Sequence, residues 1–251
     1  MEKREPVVQM KNMSKRFGGV HALKNVDLDL YNQEILGLVG DNGAGKSTLI
    51  KTLTGAIIPD SGEILIDGKK VEIAHPGQSQ KLGIHAIYQD LSLVGTFDSP
   101  SNMFLGQELM TRRFGFLPFL DKKSMLKEGL KTLKEKLHME INNTYEPVNN
   151  LSGGQQQAIA IARAVYFNAK VIIMDEPTAS LGVEECEKVF ELIRHLKEQG
   201  CSSIVISHNL EHIFSVCERV VVLRQGEVAG IRKLQKSNKA EIVSLITGAY
   251  S

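Results

Sequence analysis

The sequence predicts an α/β fold with a mostly parallel core sheet, an N-terminal antiparallel β subdomain and an inserted α-helical subdomain. Segments 7–13 and 26–30 alternate apolar and polar residues, as half-buried strands do. From residue 171 onward, short apolar runs alternate with amphipathic segments, which indicates a parallel sheet covered by helices on both faces. Between these parts, apolar residues at helical spacing in segment 121–137 indicate a helical insertion.

The remaining elements follow from apolar runs, helical periodicity and the glycines between them. We predict further strands at 34–40, 63–67, 70–73, 84–88, 171–175, 203–207 and 219–224, and helices at 46–53, 155–164, 184–199, 210–217 and 240–247. No internal repeat of fold size is present, so we expect one domain over residues 1–251. Its core and β subdomain would lie at about 1–89 and 170–251, and its helical subdomain at about 90–169.

The bulk composition is that of an ordinary globular protein. Of the 251 residues, 42% are hydrophobic and 24% are charged, and the formal net charge is +1. Because no basic surplus is available to bind a polyanion, we expect no nucleic-acid partner. The longest apolar runs are far shorter than the roughly 20 residues of a transmembrane helix. A role at a membrane would therefore require docking onto another subunit.

The first chemical motif is a glycine-rich loop at 40–47. Its sequence, GDNGAGKS, follows an apolar strand and precedes a helix, where a phosphate-binding loop belongs. Glycines let successive backbone N–H groups point at phosphate oxygens, Lys46 supplies a charge for the β- and γ-phosphates, and Ser47 ligates Mg²⁺. The alternative is a glycine turn with an incidental lysine. The predicted nucleotide-binding residues are Gly40, Asp41, Asn42, Gly43, Ala44, Gly45, Lys46, Ser47 and Thr48.

The second motif is an acidic pair at the end of a buried strand. Segment 171–176, VIIMDE, would carry Asp175 and Glu176 to the edge of the sheet at which open α/β folds bind ligands. Asp175 would hold Mg²⁺, and Glu176 would orient or deprotonate the attacking water. The alternative is an acidic pair that caps the next helix.

The third motif, LSGGQ at 151–155, is a second candidate anion site. Ser152, Gly153, Gly154 and Gln155 stand where a helix begins, so a hydroxyl and exposed backbone N–H groups meet the positive helix end. Taken alone, the string is also typical of an ordinary helix N-cap. One chain has only one γ-phosphate to hold, yet this sequence contains two phosphate cradles.

With these motifs in this order, the chain resembles the ATP-binding cassettes of ABC transporters over residues 7–224, which implies a P-loop NTPase fold. In that family the second cradle serves the ATP of a second copy. The resemblance implies that Gln89 touches Mg²⁺ and the attacking water, and that His208 contacts the γ-phosphate. It also implies that Phe17 stacks on adenine; packing in the core is the alternative for this ring.

One position departs from the family pattern. After Glu176 the family usually has an aspartate in a loop that crosses to the partner site, and this chain has Gly182. In three features the chain resembles the cassettes of bacterial monosaccharide importers of the ribose, xylose and fructose type. These features are the glycine at 182, Asp41 with Asn42 in the loop, and SNMFLG at 101–106.

The resemblance implies an ATP hydrolase with ATP and Mg²⁺ as ligands, bound peripherally at the cytoplasmic face of the cell membrane. The implied partners are permease subunits, a second copy in an ATP-dependent dimer and, indirectly, a periplasmic or extracellular solute-binding protein. The cassette of an exporter or of an amino-acid importer stays open as an alternative, as does a soluble non-transport ABC ATPase. A module that holds ATP without hydrolysing it is disfavoured by Glu176 and His208.

Overall fold

The computed structural model describes residues 5–113, 117–139, 145–179 and 181–249. The strands are β1 (Pro6–Phe17), β2 (Val20–Tyr31), β3 (Ile35–Val39), β4 (Ser61–Ile66), β5 (Lys69–Val71), β6 (Ile84–Ile87), β7 (Met110–Arg113), β8 (Leu117–Leu120), β9 (Val171–Asp175), β10 (Ser202–Ile206), β11 (Arg219–Arg224) and β12 (Glu227–Lys233). The helices are α1 (Lys46–Leu53), α2 (Pro76–Lys81), α3 (Ser99–Met103), α4 (Lys122–Lys131), α5 (Gly153–Tyr166), α6 (Val183–Glu198), α7 (Leu210–Val216) and α8 (Lys239–Thr247). A π-helical turn spans Thr132–Lys136, and 3₁₀ turns span Val148–Asn150 and Leu234–Lys236. None of the helices described is long and apolar enough to cross a membrane.

The chain forms two compact units. Unit 1 comprises Met1–Ala86, Lys170–Pro177 and Ile193–Ser251, and unit 2 comprises Ile87–Ala169 and Thr178–Leu192. The phosphate loop and the acidic pair belong to unit 1, whereas the LSGGQ motif belongs to unit 2.

Unit 1 contains a six-stranded sheet in the order β12-β11-β3-β10-β9-β6. Strands β11, β3, β10 and β9 pair in parallel, and β12 runs antiparallel at one edge. Every residue of β3 and β10 is buried, as expected for parallel strands covered on both faces. A four-stranded antiparallel sheet, β2-β1-β4-β5, holds the N-terminal segments. The predicted fold class is therefore confirmed.

A buried ion pair fixes the start of β3. The guanidinium of Arg219 donates from Nε to Glu34 Oε1 at 2.7 Å and from Nη2 to Oε2 at 2.9 Å. Glu34 also accepts from the backbone N–H of Tyr31 at 2.9 Å. A buried charge is tolerated when it is paired and hydrogen-bonded in this way. The pair ties β3 to β11 at one end, and the other end of β3 leads into the phosphate loop.

Unit 2 is built around helices and one hairpin. The ring of Phe104 is fully buried and meets Tyr166 edge-on, with ring centroids 4.6 Å apart. The predicted helix at 121–137 is confirmed as α4 followed by the π-helical turn. Strands β7 and β8 form an antiparallel hairpin that the sequence did not predict, and α3 was also missed.

Candidate nucleotide-binding site

The phosphate loop depends on glycine at two positions. Gly40, Gly43 and Gly45 all have positive φ angles, of 151°, 80° and 107°. A Cβ atom at Gly40 would lie 2.2 Å from the carbonyl oxygen of Leu223, and one at Gly45 would lie 2.6 Å from that of Ala22. A Cβ at Gly43 would meet nothing within 4 Å. Sterics therefore require glycine at 40 and 45, whereas at 43 only the backbone conformation favours it.

The first turn of α1 begins inside this loop. Gly45 is its N-cap, and no side chain in the described part of the chain caps the helix. The exposed loop residues Asp41, Asn42 and Gly43 stand before it, and Ser47 is exposed in the first turn. The free N–H groups and positive end of a helix favour an anion at such a position.

Lys46 brings a cation to the same loop. Its ammonium donates to the backbone carbonyl of Gly40 at 2.6 Å and to that of Asp41 at 3.0 Å. Partial burial lowers the pKa of Lys46, while the charges of Glu176 and Asp175 act in the opposite direction. The lysine is thus held over the loop and within the electrostatic reach of the acidic pair.

Asp175 and Glu176 end strand β9 at the edge of the parallel sheet. Asp175 is paired in register with Ile206 of β10, and the backbone N–H of Glu176 donates to the carbonyl of Ile206 at 2.9 Å. Burial raises the pKa of Asp175, and the neighbouring Glu176 raises it further. Glu176 has a φ of 52°, a left-handed conformation that is uncommon for glutamate and typical of functional sites.

The carboxylate of Glu176 is fixed by the residues that follow β10. Its Oε1 accepts from the backbone N–H of His208 at 2.8 Å and lies 2.8 Å from Nδ1 of the same histidine. Its Oε2 accepts from the hydroxyl of Ser207 at 3.2 Å. The Glu176 side chain is 16% exposed and that of His208 is 80% exposed. An oriented carboxylate can take a proton from a water molecule, and the accessible imidazole beside it can share that proton.

Ser207, whose hydroxyl donates to Glu176, is a residue of the candidate site that the sequence did not reveal. Only its position, directly before His208 at a strand end, could have suggested it.

The residues predicted to hold Mg²⁺ in unit 1 are chemically suitable. The hydroxyl of Ser47 and the carboxylate of Asp175 are hard oxygen donors, which Mg²⁺ prefers, and few protein ligands suffice when phosphates complete the shell. In the part of the chain that the structure describes, no group of three or more His, Cys, Asp or Glu residues could hold a metal. Gln89, the third predicted ligand, is exposed two residues after the end of β6 and belongs to unit 2.

Phe17 ends β1, and its ring is accessible. The residue is 49% exposed, and the ammonium of Lys15 lies 5.7 Å from the ring centroid. Packing of this ring in the core, the alternative that the sequence left open, is therefore wrong. An exposed aromatic face remains available for stacking on a base.

In unit 2, the LSGGQ motif forms the start of α5. Ser152 is the N-cap, and its Oγ accepts from the backbone N–H of Gln155 at 3.4 Å. The Gln155 side chain accepts from the backbone N–H of Ser152 at 3.0 Å, which completes a capping box. The N-cap that the sequence offered as an alternative is thus present, and it also presents a hydroxyl and glycine N–H groups at a positive helix end.

A family model described as "ABC transporter" matches residues 23–179, which contain the phosphate loop, the LSGGQ motif and the acidic pair. The chain belongs to the ABC transporter family. Phe17 and His208 lie outside the matched stretch, so their assignment depends on the geometry above and on the resemblance.

Relatives with sugar-import names align over almost the whole chain. A fructose import ATP-binding protein of Rhizobium meliloti is 41% identical over 98% of this chain and 95% of its own length. A xylose/arabinose import ATP-binding protein of Sulfolobus acidocaldarius is 42% identical over 96% and 94%. A ribose import ATP-binding protein of Caldanaerobacter subterraneus subsp. tengcongensis is 41% identical over 97% of this chain but only 48% of its own length.

Solved structures agree in fold. A nucleotide-free ATP-binding cassette from an ABC transporter has a TM-score of 0.81 at 24% identity, covering 97% of this chain and 96% of that one. A dimeric, post-hydrolysis ATP-binding cassette bound to ADP and Pi has a TM-score of 0.74 at 30% identity, covering 90% and 98%. The membership in the ABC cassette fold that the sequence predicted is confirmed.

Proposed function

We propose that this chain is the ATP-binding and ATP-hydrolysing subunit of an ABC importer, most specifically one that imports a monosaccharide. The observation that carries the catalytic part is the Glu176 carboxylate, held by Ser207 and His208 at the same sheet edge as Asp175 and within electrostatic reach of Lys46. The sugar assignment is supported by the names of relatives that are about 41% identical over most of the chain.

ATP would bind through the phosphate loop of unit 1. Backbone N–H groups at 40–48 and the uncapped start of α1 bind the phosphates. Lys46 exchanges its hydrogen bonds to the two loop carbonyls for contacts with the β- and γ-phosphates. Phe17 stacks on the adenine. Ser47 and Asp175 would hold Mg²⁺, and the family resemblance implies Gln89 as a further ligand; the ion would supply charge neutralisation at the phosphates.

Hydrolysis is in-line attack of water on the γ-phosphorus. Glu176 orients that water and accepts its proton, and its hydrogen bonds from Ser207 and His208 fix the direction of the carboxylate. His208, with an exposed imidazole, contacts the γ-phosphate and senses its loss.

Two copies would share each ATP, because the start of α5 is a second anion site. The γ-phosphate bound by one chain is completed by Ser152, Gly153, Gly154 and Gln155 of the second copy, as in an ATP-dependent dimer. Association and separation of the two copies would be transmitted to permease subunits at the cytoplasmic face of the membrane. A periplasmic or extracellular solute-binding protein would act on the other side. The solved dimeric relative bound to ADP and Pi supports the dimer.

Two experiments test this function separately. Sedimentation of Glu176→Gln with ATP and Mg²⁺ should show a dimer that disappears with ADP; a monomer in both nucleotides would contradict the shared site. Uptake of labelled pentoses, hexoses and amino acids should be compared in host cells lacking the gene and in cells restored with wild type or Lys46→Ala. Loss of sugar uptake alone, rescued only by wild type, is expected; loss of amino-acid uptake instead would contradict the sugar assignment.

A further inference from the structure

Strand β1 ends at the exposed ring of Phe17, where its support from neighbouring strands is incomplete. Its pairing with β4 stops at Ser14, which lies opposite Ser61, so among the described strands the last three residues of β1 pair with β2 alone. The turn that follows is Gly18-Gly19, and a Cβ atom at either glycine would meet nothing within 4 Å. A strand end with one partner strand and a turn of two glycines has little of its own to fix its position.

The carboxylate of Asp60 takes the place of the missing strand. Its Oδ2 accepts from the backbone N–H of Arg16 at 2.7 Å, and its Oδ1 accepts from the ammonium of Lys15 at 2.8 Å. The backbone N–H of Asp60 in turn donates to the carbonyl of Ser14 at 2.9 Å. Hydrogen bonds to a charged carboxylate are stronger than those between neutral groups. Asp60 therefore holds three consecutive residues of β1, the last of which directly precedes Phe17.

Lys15 extends this restraint to the aromatic ring. Its ammonium lies over the ring of Phe17, 5.7 Å from the centroid, within the range of a cation–π contact. The Lys15 side chain is 18% exposed and that of Asp60 is 46% exposed, so the ion pair contributes little to global stability. Its main effect is on position, because a lysine held over one face of the ring leaves the opposite face for a base.

Asp60 also belongs to the segment that leaves the phosphate-loop helix. The backbone N–H of Ile57 donates to the carbonyl of Lys51 in α1 at 3.0 Å, so the chain between α1 and Asp60 is tied to that helix. Asp60, Phe17 and the phosphate loop all belong to unit 1. One carboxylate thus connects the end of β1, where the base would bind, to the helix whose start would bind the phosphates.

We propose that Asp60 is a positioning residue for adenine recognition, and that it acts through Arg16 and Lys15 to hold the ring of Phe17 in place relative to the phosphate loop. This inference rests on the proposed binding of ATP with its adenine on Phe17. Asp60 does not touch the nucleotide, and a phosphate chain without a base binds independently of it. An ion pair that only supported the fold would instead affect ATP and a base-free phosphate chain alike.

The experiment measures the affinity of the full chain for ATP and for inorganic tripolyphosphate, by displacement of a fluorescent ATP analogue in the presence of Mg²⁺. Asp60→Ala should weaken ATP binding about five-fold and leave tripolyphosphate binding unchanged, because only the base contacts the displaced ring. In ATPase assays the same variant should raise KM with little change in kcat. Glu63→Ala is the matched control, since it removes an exposed carboxylate of β4 that pairs with Lys70 at 2.6 Å, and it should alter neither affinity.

Two further variants test the route through the ring. Asp60→Asn keeps an acceptor for the Arg16 N–H and should restore part of the ATP affinity that Asp60→Ala loses. In a Phe17→Ala background, Asp60→Ala should add no further loss, because the ring that it positions is gone. Unchanged tripolyphosphate binding in each variant also shows that the protein is folded.

The possible failures are distinguishable. The inference is overturned if Asp60→Ala binds ATP like wild type, if its loss extends equally to tripolyphosphate, or if the loss persists in full without the Phe17 ring. In those cases the proposed ATP hydrolysis still stands. A wild-type protein that binds neither ATP nor tripolyphosphate overturns the proposed function itself, and the inference with it.

Discussion

The two candidate phosphate cradles of this chain are both helix starts that follow glycines, yet they differ in what satisfies them. In the phosphate loop, no described side chain caps α1, and the nearby charge is the cation Lys46. At the LSGGQ motif, α5 has a complete capping box formed by Ser152 and Gln155, and the side chain of Glu185 packs near Gly154. The first cradle is therefore arranged to attract a polyanion unaided. The second has one of its free helix-start N–H groups already satisfied by its own N-cap, so it offers fewer free donors to an anion.

This difference predicts an order of events. ATP should bind the phosphate loop of a single chain without a second copy, and the second cradle should contribute to binding only after two chains associate. Variants of the first cradle should therefore damage nucleotide binding in the monomer, whereas variants of the second should change only properties that depend on protein concentration.

The largest effect is expected for Lys46→Ala. Removing the cation from the loop should lower ATPase activity by about a thousand-fold and weaken ATP binding to the monomer, because the ammonium of Lys46 is the charge held over the loop at Gly40 and Asp41. Steady-state ATPase assays and fluorescent-nucleotide titration measure the two effects. Lys69→Ala, which removes an exposed lysine from β5, serves as the control and should change activity by less than about three-fold. Equal losses in both variants would mean that general charge, and not the placed cation, binds the nucleotide.

Gly40→Ala should come next. The added methyl would meet the Leu223 carbonyl, so the variant should lose about 2–4 kcal/mol of unfolding free energy and most nucleotide binding. Gly43→Ala adds the same methyl into open space and should lose less than half as much, from backbone strain alone. Chemical denaturation measures the loss of unfolding free energy in the two variants. Similar destabilisation at both positions would contradict the steric account of the loop.

Ser152→Ala should have a smaller and different effect. It should lower ATPase activity about ten- to hundred-fold at protein concentrations at which wild type dimerises, and leave monomer nucleotide affinity unchanged. Asn238→Ala removes another helix N-cap, that of α8, without touching a phosphate cradle. If the Asn238 variant lost as much activity as the Ser152 variant, the loss would come from capping and not from the second cradle.

The smallest effect is expected for Gly182→Asp, which restores the usual family residue. A Cβ at this position would meet nothing within 4 Å, so the variant should fold with wild-type stability. Its carboxylate would stand in the loop whose N–H already binds Glu185, and monomer ATP binding should change by less than about two-fold. Thermal melting and nucleotide titration check both statements, and a clear drop in melting temperature would contradict the open environment seen at Gly182.

The phosphate loop and the parallel sheet were predictable because their signals are local. Helix α1 and strands β9 and β11 begin and end at the predicted residues, since buried apolar runs bounded by glycines or charges leave little choice of register. Strands β8 and β12 were missed for the opposite reason. Strand β8 is the wholly apolar segment LPFL, although all four of its residues are exposed, and β12 is a half-exposed sheet edge, so neither shows the apolar–polar alternation of a half-buried strand.

The contacts that tune the site could not be predicted in the same way. Glu176 and His208 were suggested by a motif and by a family resemblance, but the role of Ser207 depends on how β9 and β10 pair. Gly154 and Glu185 are separated by more than thirty residues and belong to different helices, and nothing in either local sequence indicates that they lie side by side. Such contacts require the tertiary structure.

The most direct test of the shared-site account is the specific ATPase activity of the purified protein, with Mg²⁺, as a function of protein concentration. The account predicts an activity per chain that rises with concentration and collapses in both Glu176→Gln and Ser152→Ala. An activity that is independent of concentration and indifferent to Ser152→Ala would mean that the site is complete within one chain, and would contradict the account.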